Sequence, residues 1–225
     1  MDDRLLRADP EVMSLDVAPP GLHRLLAWER TDEFAGHSMA RVERRPGGWR
    51  FHGAEVVGGP SAVLVCSFRV DVDDAWLTRA VTVRVVADDG ERELWLTVAV
   101  TGSWQVDDAP RPDLEGCLDV DVAATPLTNT FPIRRLATLE VGQAVSLPVA
   151  WVDVPSLSVS RVEQTYRRLP DVDGMAAWEY RDEAHGRFAL RVDEDGLVVE
   201  YEGFARRVAA TPWRSGTGGV WPSIP

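Results

Sequence analysis

An all-β domain, built from one antiparallel sheet of about ten to twelve strands curled into a deep, unclosed or just-closed barrel, is the fold class the sequence predicts. Three observations point to it. Apolar residues alternate with polar ones at a period of two. Leu94, Leu96, Val98 and Val100 share one face of ELWLTVAV, and Phe188, Leu190 and Val192 share one face of RFALRVD. This is the pattern of half-buried antiparallel strands. Turn signals recur roughly every ten residues. Helical periodicity is nearly absent. Curling would protect the sheet edges, and curled sheets of this size commonly enclose a ligand cavity.

The elements follow in order. Residues 1–22 end in APPG and read as a loose leader, because paired prolines break regular structure. RLLAWER follows, with part of 20–30 a candidate for a helical turn. SMARVERR meets GWRFHGAEVVG across Pro46-Gly47, and SAVLVCSFRVDV and AWLTRAVTVRVVA come next. The Asp89-Gly90 pair then turns the chain into RELWLTVAVTGSW, a strong hairpin signal. Pro132 suits the first turn of a short helix, PIRRLA. AVSLPVAWVDV and LSVSRVEQTYRRL flank Pro155-Ser156, and RFALRVD and LVVEYEGFARRV flank Glu194-Asp195-Gly196. One domain, 23–208, holds all of these, with one or two short helices. From residue 209 to 225 the chain is a Gly/Pro/Trp tail without a period, in which Trp213 and Trp221 suggest packing somewhere.

Composition excludes several functions. The 225 residues, 45% hydrophobic, are enough for one sizeable core. A net charge of -12 marks an acidic protein and argues against nucleic acid, which needs a basic face, and against an anionic membrane surface. All 24 basic residues are arginine, so no lysine is available for a Schiff base or a phosphate loop. The N-terminal segment lacks the apolar core of a secretion signal, and no run approaches a membrane span. These features predict a cytoplasmic protein without stable membrane insertion, its two cysteines, Cys66 and Cys117, reduced and buried. The four histidines show no zinc-site spacing, and no metal or other cofactor is expected. The oligomeric state is not legible.

One window departs from plain β-sequence: LEGCLDVDVAATPLTNTFPIRRL, residues 114–136. Asp119 and Asp121, two apart on a strand, project from the same face. Leu118, Val120 and Val122 take the other. The aspartates then face solvent or a polar cavity. They are either a mutually repelling pair fit for acid–base work or members of an ion-pair network with Arg134 and Arg135. Thr125, Pro126, Thr128, Asn129, Thr130 and Pro132 form the intervening loop. Their hydroxyls and amides either bond a polar head group or satisfy their own turn. Nine tryptophans are many for this length and serve either as core filling or as platforms for a ligand.

The run GCLDVDVAATPLTNTFPIRRL resembles the bacterial “putative glycolipid-binding” family, with DVDDAWLTRAVTV before it and VEQTYRRL and DEDGLVVEYEGFARRV after it. The resemblance covers about residues 24–208. It implies a spiral β-roll, an unclosed barrel like those of bacterial lipoprotein carriers and mycobacterial glycolipid-binding lipoproteins. It also implies a glycolipid or lipid-like small molecule as partner. Together with the residues, it makes Asp119, Asp121, Thr125, Thr128, Asn129, Arg134 and Arg135 the expected ligand-binding set, at the polar end of a cavity lined by Val81, Val83, Leu94 and Leu96. Binding is favoured over catalysis. The alternatives are a structural or interaction role without a small ligand, and an enzyme using Asp119 or Asp121 as general acid or base.

Overall fold

The computed structural model describes residues 21–59, 62–123 and 125–215. The leader up to residue 20 and the end of the tail from residue 216, Trp221 included, lie outside the described residues.

Among the described residues, sixteen strands form one sheet. The first meander is β1 (Leu22–Arg30), β2 (Ala35–Arg45), β3 (Gly48–Gly59), β4 (Ala62–Asp73), β5 (Thr78–Ala87), β6 (Gly90–Val98), β7 (Trp104–Val106) and β8 (Ala109–Pro110). The second is β9 (Asp119–Val122), β10 (Ala144–Val152), β11 (Val159–Val172), β12 (Met175–Asp182), β13 (Gly186–Val192), β14 (Val198–Tyr201) and β15 (Ala205–Ala210). They join where β1 pairs with β15, giving the order β8-β7-β6-β5-β4-β3-β2-β1-β15-β14-β13-β12-β11-β10-β9. β16 (Arg214–Ser215) adds to β1. The sheet does not close on itself, as expected of an unclosed barrel.

Local chemistry explains the hairpins. Pro46 and Gly47 turn β2 into β3, with Gly47 at φ 79° in the left-handed region a type II turn needs. Asp173-Gly174 turn β11 into β12 with φ 52° and 76°, the two positive values of a type I′ turn. The β5–β6 hairpin also forms where expected, with Asp88 and Asp89 between the closing pair Ala87 and Gly90.

The strand count exceeds the ten to twelve expected. Three strands of two or three residues (β7, β8 and β16) are too short to show a period. LVVEYEGFARRV also splits at Glu202-Gly203-Phe204 into β14 and β15. RELWLTVAVTGSW breaks as well: Leu94 and Leu96 are buried, but β6 ends at Val98 and Val100 sits 91% exposed in the turn before β7. Residues 22–30 are a strand, not helical. Leu22, Leu26 and Trp28 are buried on one face, but Arg24 shares it and makes ion pairs with Asp193 and Asp195. That inward charge interrupts the period of two, and Leu25 and Leu26 complete a helix-like spacing. The single α-helix among the described residues is α1 (Thr130–Arg135), which begins two residues before Pro132.

Two apolar cores result. The larger gathers Trp28, Trp49, Phe51, Trp76 and Trp104 with Val81, Val83, Leu94 and Leu96 of the first meander. The smaller gathers Leu147, Val149, Tyr166, Trp178, Tyr180 and Leu190 of the second. The larger is tight: a Cβ on Gly53 would lie 2.0 Å from the ring of Phe68, its cross-strand partner. Gly53→Ala is therefore expected to cost about 1–3 kcal/mol through overpacking, read as a lower urea midpoint at constant slope.

Candidate functional site

The distinctive window lies between the two cores. All four residues of β9 are buried. Val120 and Val122 face the larger core together with Leu127 and Phe131, while Ile133 reaches the smaller one. β9 runs parallel to β10, with Asp121 opposite Trp151. Its free edge reaches back to the first meander: the Thr78 N–H donates to the Leu118 carbonyl, and the Val120 N–H donates to the Thr78 hydroxyl, both at 3.0 Å. Alternation placed the aspartates on one face correctly, but that face is interior and not open to solvent.

The two aspartates have different partners. Asp119 is held at both oxygens by Arg135, one contact measuring 2.6 Å, and Arg135 also donates to the Trp76 carbonyl at 3.3 Å. Burial pushes the Asp119 carboxyl above its ordinary pKa, against the pull of that guanidinium. Asp121 is held by neutral donors. Thr128 donates to one oxygen and the Gln164 amide to the other, each at 2.6 Å. Tyr166 donates to the Gln164 carbonyl oxygen at 3.2 Å, and Asn129 donates to the Tyr166 hydroxyl at 2.9 Å. Burial raises the Asp121 pKa, these donors oppose it, and the charges of Asp182 and Asp119 add to the rise. Arg134 packs its guanidinium 5.0 Å over the Trp76 ring, and its stem lies where a Cβ on Gly196 would be 2.7 Å away.

Asp121 opens onto a cavity of about 300 Å³. Thr125, Asn129, Asp153, Asp182 and His185 add to its polar lining, and Trp151, Tyr180, Phe188, Tyr201 and Phe204 give it aromatic walls. Asp182 sits at the end of β12. It accepts from the Tyr180 hydroxyl and from the His185 backbone N–H at 2.6 Å, and lies 3.0 Å from the His185 ring nitrogen. Burial would push its pKa up, but these hydrogen bonds outweigh burial and leave the carboxyl below its ordinary value. Tyr180 and Tyr201 are pushed well above the ordinary phenol pKa, first by burial, so both are neutral hydroxyls.

Of the residues expected at a site, Asp121, Thr125 and Asn129 line this cavity. Thr128 stands behind Asp121 as its donor. Asp119, Arg134 and Arg135 are not in the lining. Val81, Val83, Leu94 and Leu96 are packed among the tryptophans of the larger core and do not line it either. Cys66 and Cys117 are free and buried, with burial raising their thiol pKa values to about 12 and about 11. Among the described residues, no group of three or more His, Cys, Asp or Glu side chains is placed to hold a metal ion, and no helix is long and apolar enough to cross a membrane.

Sequence reading missed Gln164, Tyr166, Tyr180, Asp182 and His185. A signal was present. Gln164-x-Tyr166 and Tyr180-x-Asp182 repeat the spacing of Asp119-x-Asp121, and the register sets Gln164 opposite Asp182 and Tyr166 opposite Tyr180.

Comparison with known proteins agrees with this architecture. The chain is similar to the crystal structure of a DUF1089 family protein from Pseudomonas aeruginosa, at 29% identity and a TM-score of 0.65, over 76% of this chain and 92% of that one. It shares the fold of a β-barrel-like protein of the DUF1849 family from Brucella abortus, at 11% identity and a TM-score of 0.53, over 85% of this chain and 97% of that one. No curated protein matches. The family model described as “Putative glycolipid-binding” matches residues 25–207, nearly all of the described sheet, and the chain belongs to that family.

Proposed function

We propose that the protein binds a glycolipid, or a similar amphipathic molecule, by its polar head group. The observation behind this reading is the cavity itself, with acceptors and donors at one end and aromatic rings around the walls. Sugar hydroxyls are donors suited to the ionised carboxylate of Asp182, and charge-assisted hydrogen bonds are the strong ones, while Asp121 adds a polar wall beside it. The apolar C–H face of a sugar ring suits Trp151 and Tyr180. A volume of about 300 Å³ is at the small end of ligand sites. It fits a head group and not acyl chains, and the larger core is filled, so the chains of a bound lipid would stay outside it. Asp119 does not share the cavity, which leaves acid–base work by the Asp119/Asp121 pair without a common substrate position.

Native mass spectrometry on the protein purified from its own host, followed by organic extraction, tests the reading. A discrete adduct that extracts as a lipid bearing a polar head group is the expected result. A clean apo mass, with no uptake from host lipid extract, would overturn it. Trp151→Ala should weaken uptake roughly tenfold through the lost ring contact. Because Trp151 is only half-buried, the unfolding midpoint should move little.

A further inference from the structure

A second cavity, of about 520 Å³, adjoins the first and is lined by Ser160, Arg161, Glu163 and Glu183 as well as by Trp151, Asp182 and His185. The last three line both cavities. The wall between them is thus made of side chains: the Trp151 and His185 rings lie 5.1 Å apart, and His185 is 53% exposed. Strand register explains the arrangement. Trp151 on β10 stands opposite Asp121 on one side and opposite Ser160 of β11 on the other. The second cavity also offers both hydrogen-bonding senses. The Glu183 carboxylate accepts and the Ser160 hydroxyl does either, while Arg161 and Glu163, on the other face of β11 and paired with each other at 3.5 Å, reach only its rim.

From this geometry we infer that the site is bipartite: the cavity across Trp151 takes a second polar unit, so the head group selected has two linked sugar rings. One ring sits against Asp121 and Tyr180. The next passes over the Trp151–His185 ridge to the side chains of β11. The two volumes together lie well inside the usual range for small-ligand sites, whereas the first alone is at its lower limit. This inference rests on the head-group reading above.

Octyl glucoside and octyl maltoside, below their micelle concentrations, separate the possibilities, because they share a tail and differ by one ring. Titration calorimetry is expected to show the maltoside binding at least tenfold more tightly. In Ser160→Ala and Glu183→Ala that advantage should shrink severalfold, the maltoside losing more than the glucoside. Equal affinities for the two, with a ratio unmoved by either variant, would overturn the bipartite site while leaving the head-group reading intact. If neither compound binds, the head group of the adduct extracted from host protein decides. A single sugar ring overturns the inference, two or more support it, and the absence of any adduct removes the head-group reading and the inference together.

Discussion

Arg135→Ala is expected to cost about 3–5 kcal/mol, the penalty for leaving a buried carboxylate without its partner. Asp119 is 1% exposed, and both of its oxygens are bonded to that one guanidinium. The loss should depend on pH in a definite direction. Without Arg135, burial alone acts on Asp119, and its folded-state pKa lies further above the unfolded value. The folded variant then binds a proton that the unfolded chain does not, so its stability falls as pH rises above the ordinary carboxylate range. Urea unfolding at pH 4 and pH 8 should show a smaller penalty at pH 4. A pH-independent loss would mean that packing, and not charge, is what Arg135 supplies. Pairing Asp119→Asn with Arg135→Met should recover part of the loss, because replacing both charges removes the stranded group.

Glu55→Gln should act in the opposite direction. Glu55 is 1% exposed on the inward face of β3, between Ser38 and Cys66 in register, and its carboxyl bonds the Ser38 hydroxyl and Thr125. Burial pushes its pKa from 4.5 to about 8, against those hydrogen bonds and the attraction of Arg30. The folded state holds this proton where the unfolded state has released it. Stability therefore declines as pH rises from about 4.5 to about 8. At about 1.4 kcal/mol per pH unit, the decline across that window is on the order of 4 kcal/mol. Glutamine keeps the shape and the hydrogen-bonding groups but does not titrate. The variant should match the parent near pH 4 and exceed it by on the order of 3 kcal/mol at pH 7. Stability curves that run parallel for variant and parent between pH 4.5 and 8 would show that Glu55 does not hold its proton in this way.

Much of the sheet was legible because a curled antiparallel meander is written in local signals. Pro46-Gly47, the β5–β6 turn and Glu194-Asp195-Gly196 each lie between alternating runs, and each makes its expected connection. Alternation failed where a polar residue faces inward. Arg24 made β1 resemble a helix, and Gln164, Tyr180 and Asp182, which also face inward, drew no notice. Periodicity tells which residues share a face but not which side that face is on when both sides are buried. β9 is such a strand, so the partition of its aspartates, one to Arg135 and the other to Thr128 and Gln164, could not be read from spacing. Asp121 meets Gln164 and Asp182 only through the register of β9 to β12, which local sequence does not encode.

The position of β9 between two cores also bears on the order of folding. Nearly every strand pair arises from a hairpin between chain neighbours, and such contacts form early because they close short loops. β9 is different. It needs β10 on one edge and Thr78 of the first meander on the other, and its two faces need two finished cores. Its contacts join the two meanders, as does the β1–β15 pairing, which spans most of the described chain. Asp121, Thr125 and Asn129 arrive with it, so the polar end of the cavity exists only in the docked state. Amide exchange at residues 117–136 should therefore be faster than in the β3–β4 hairpin, and a head group bound at Asp121 should slow it selectively, by holding the last segment to arrive.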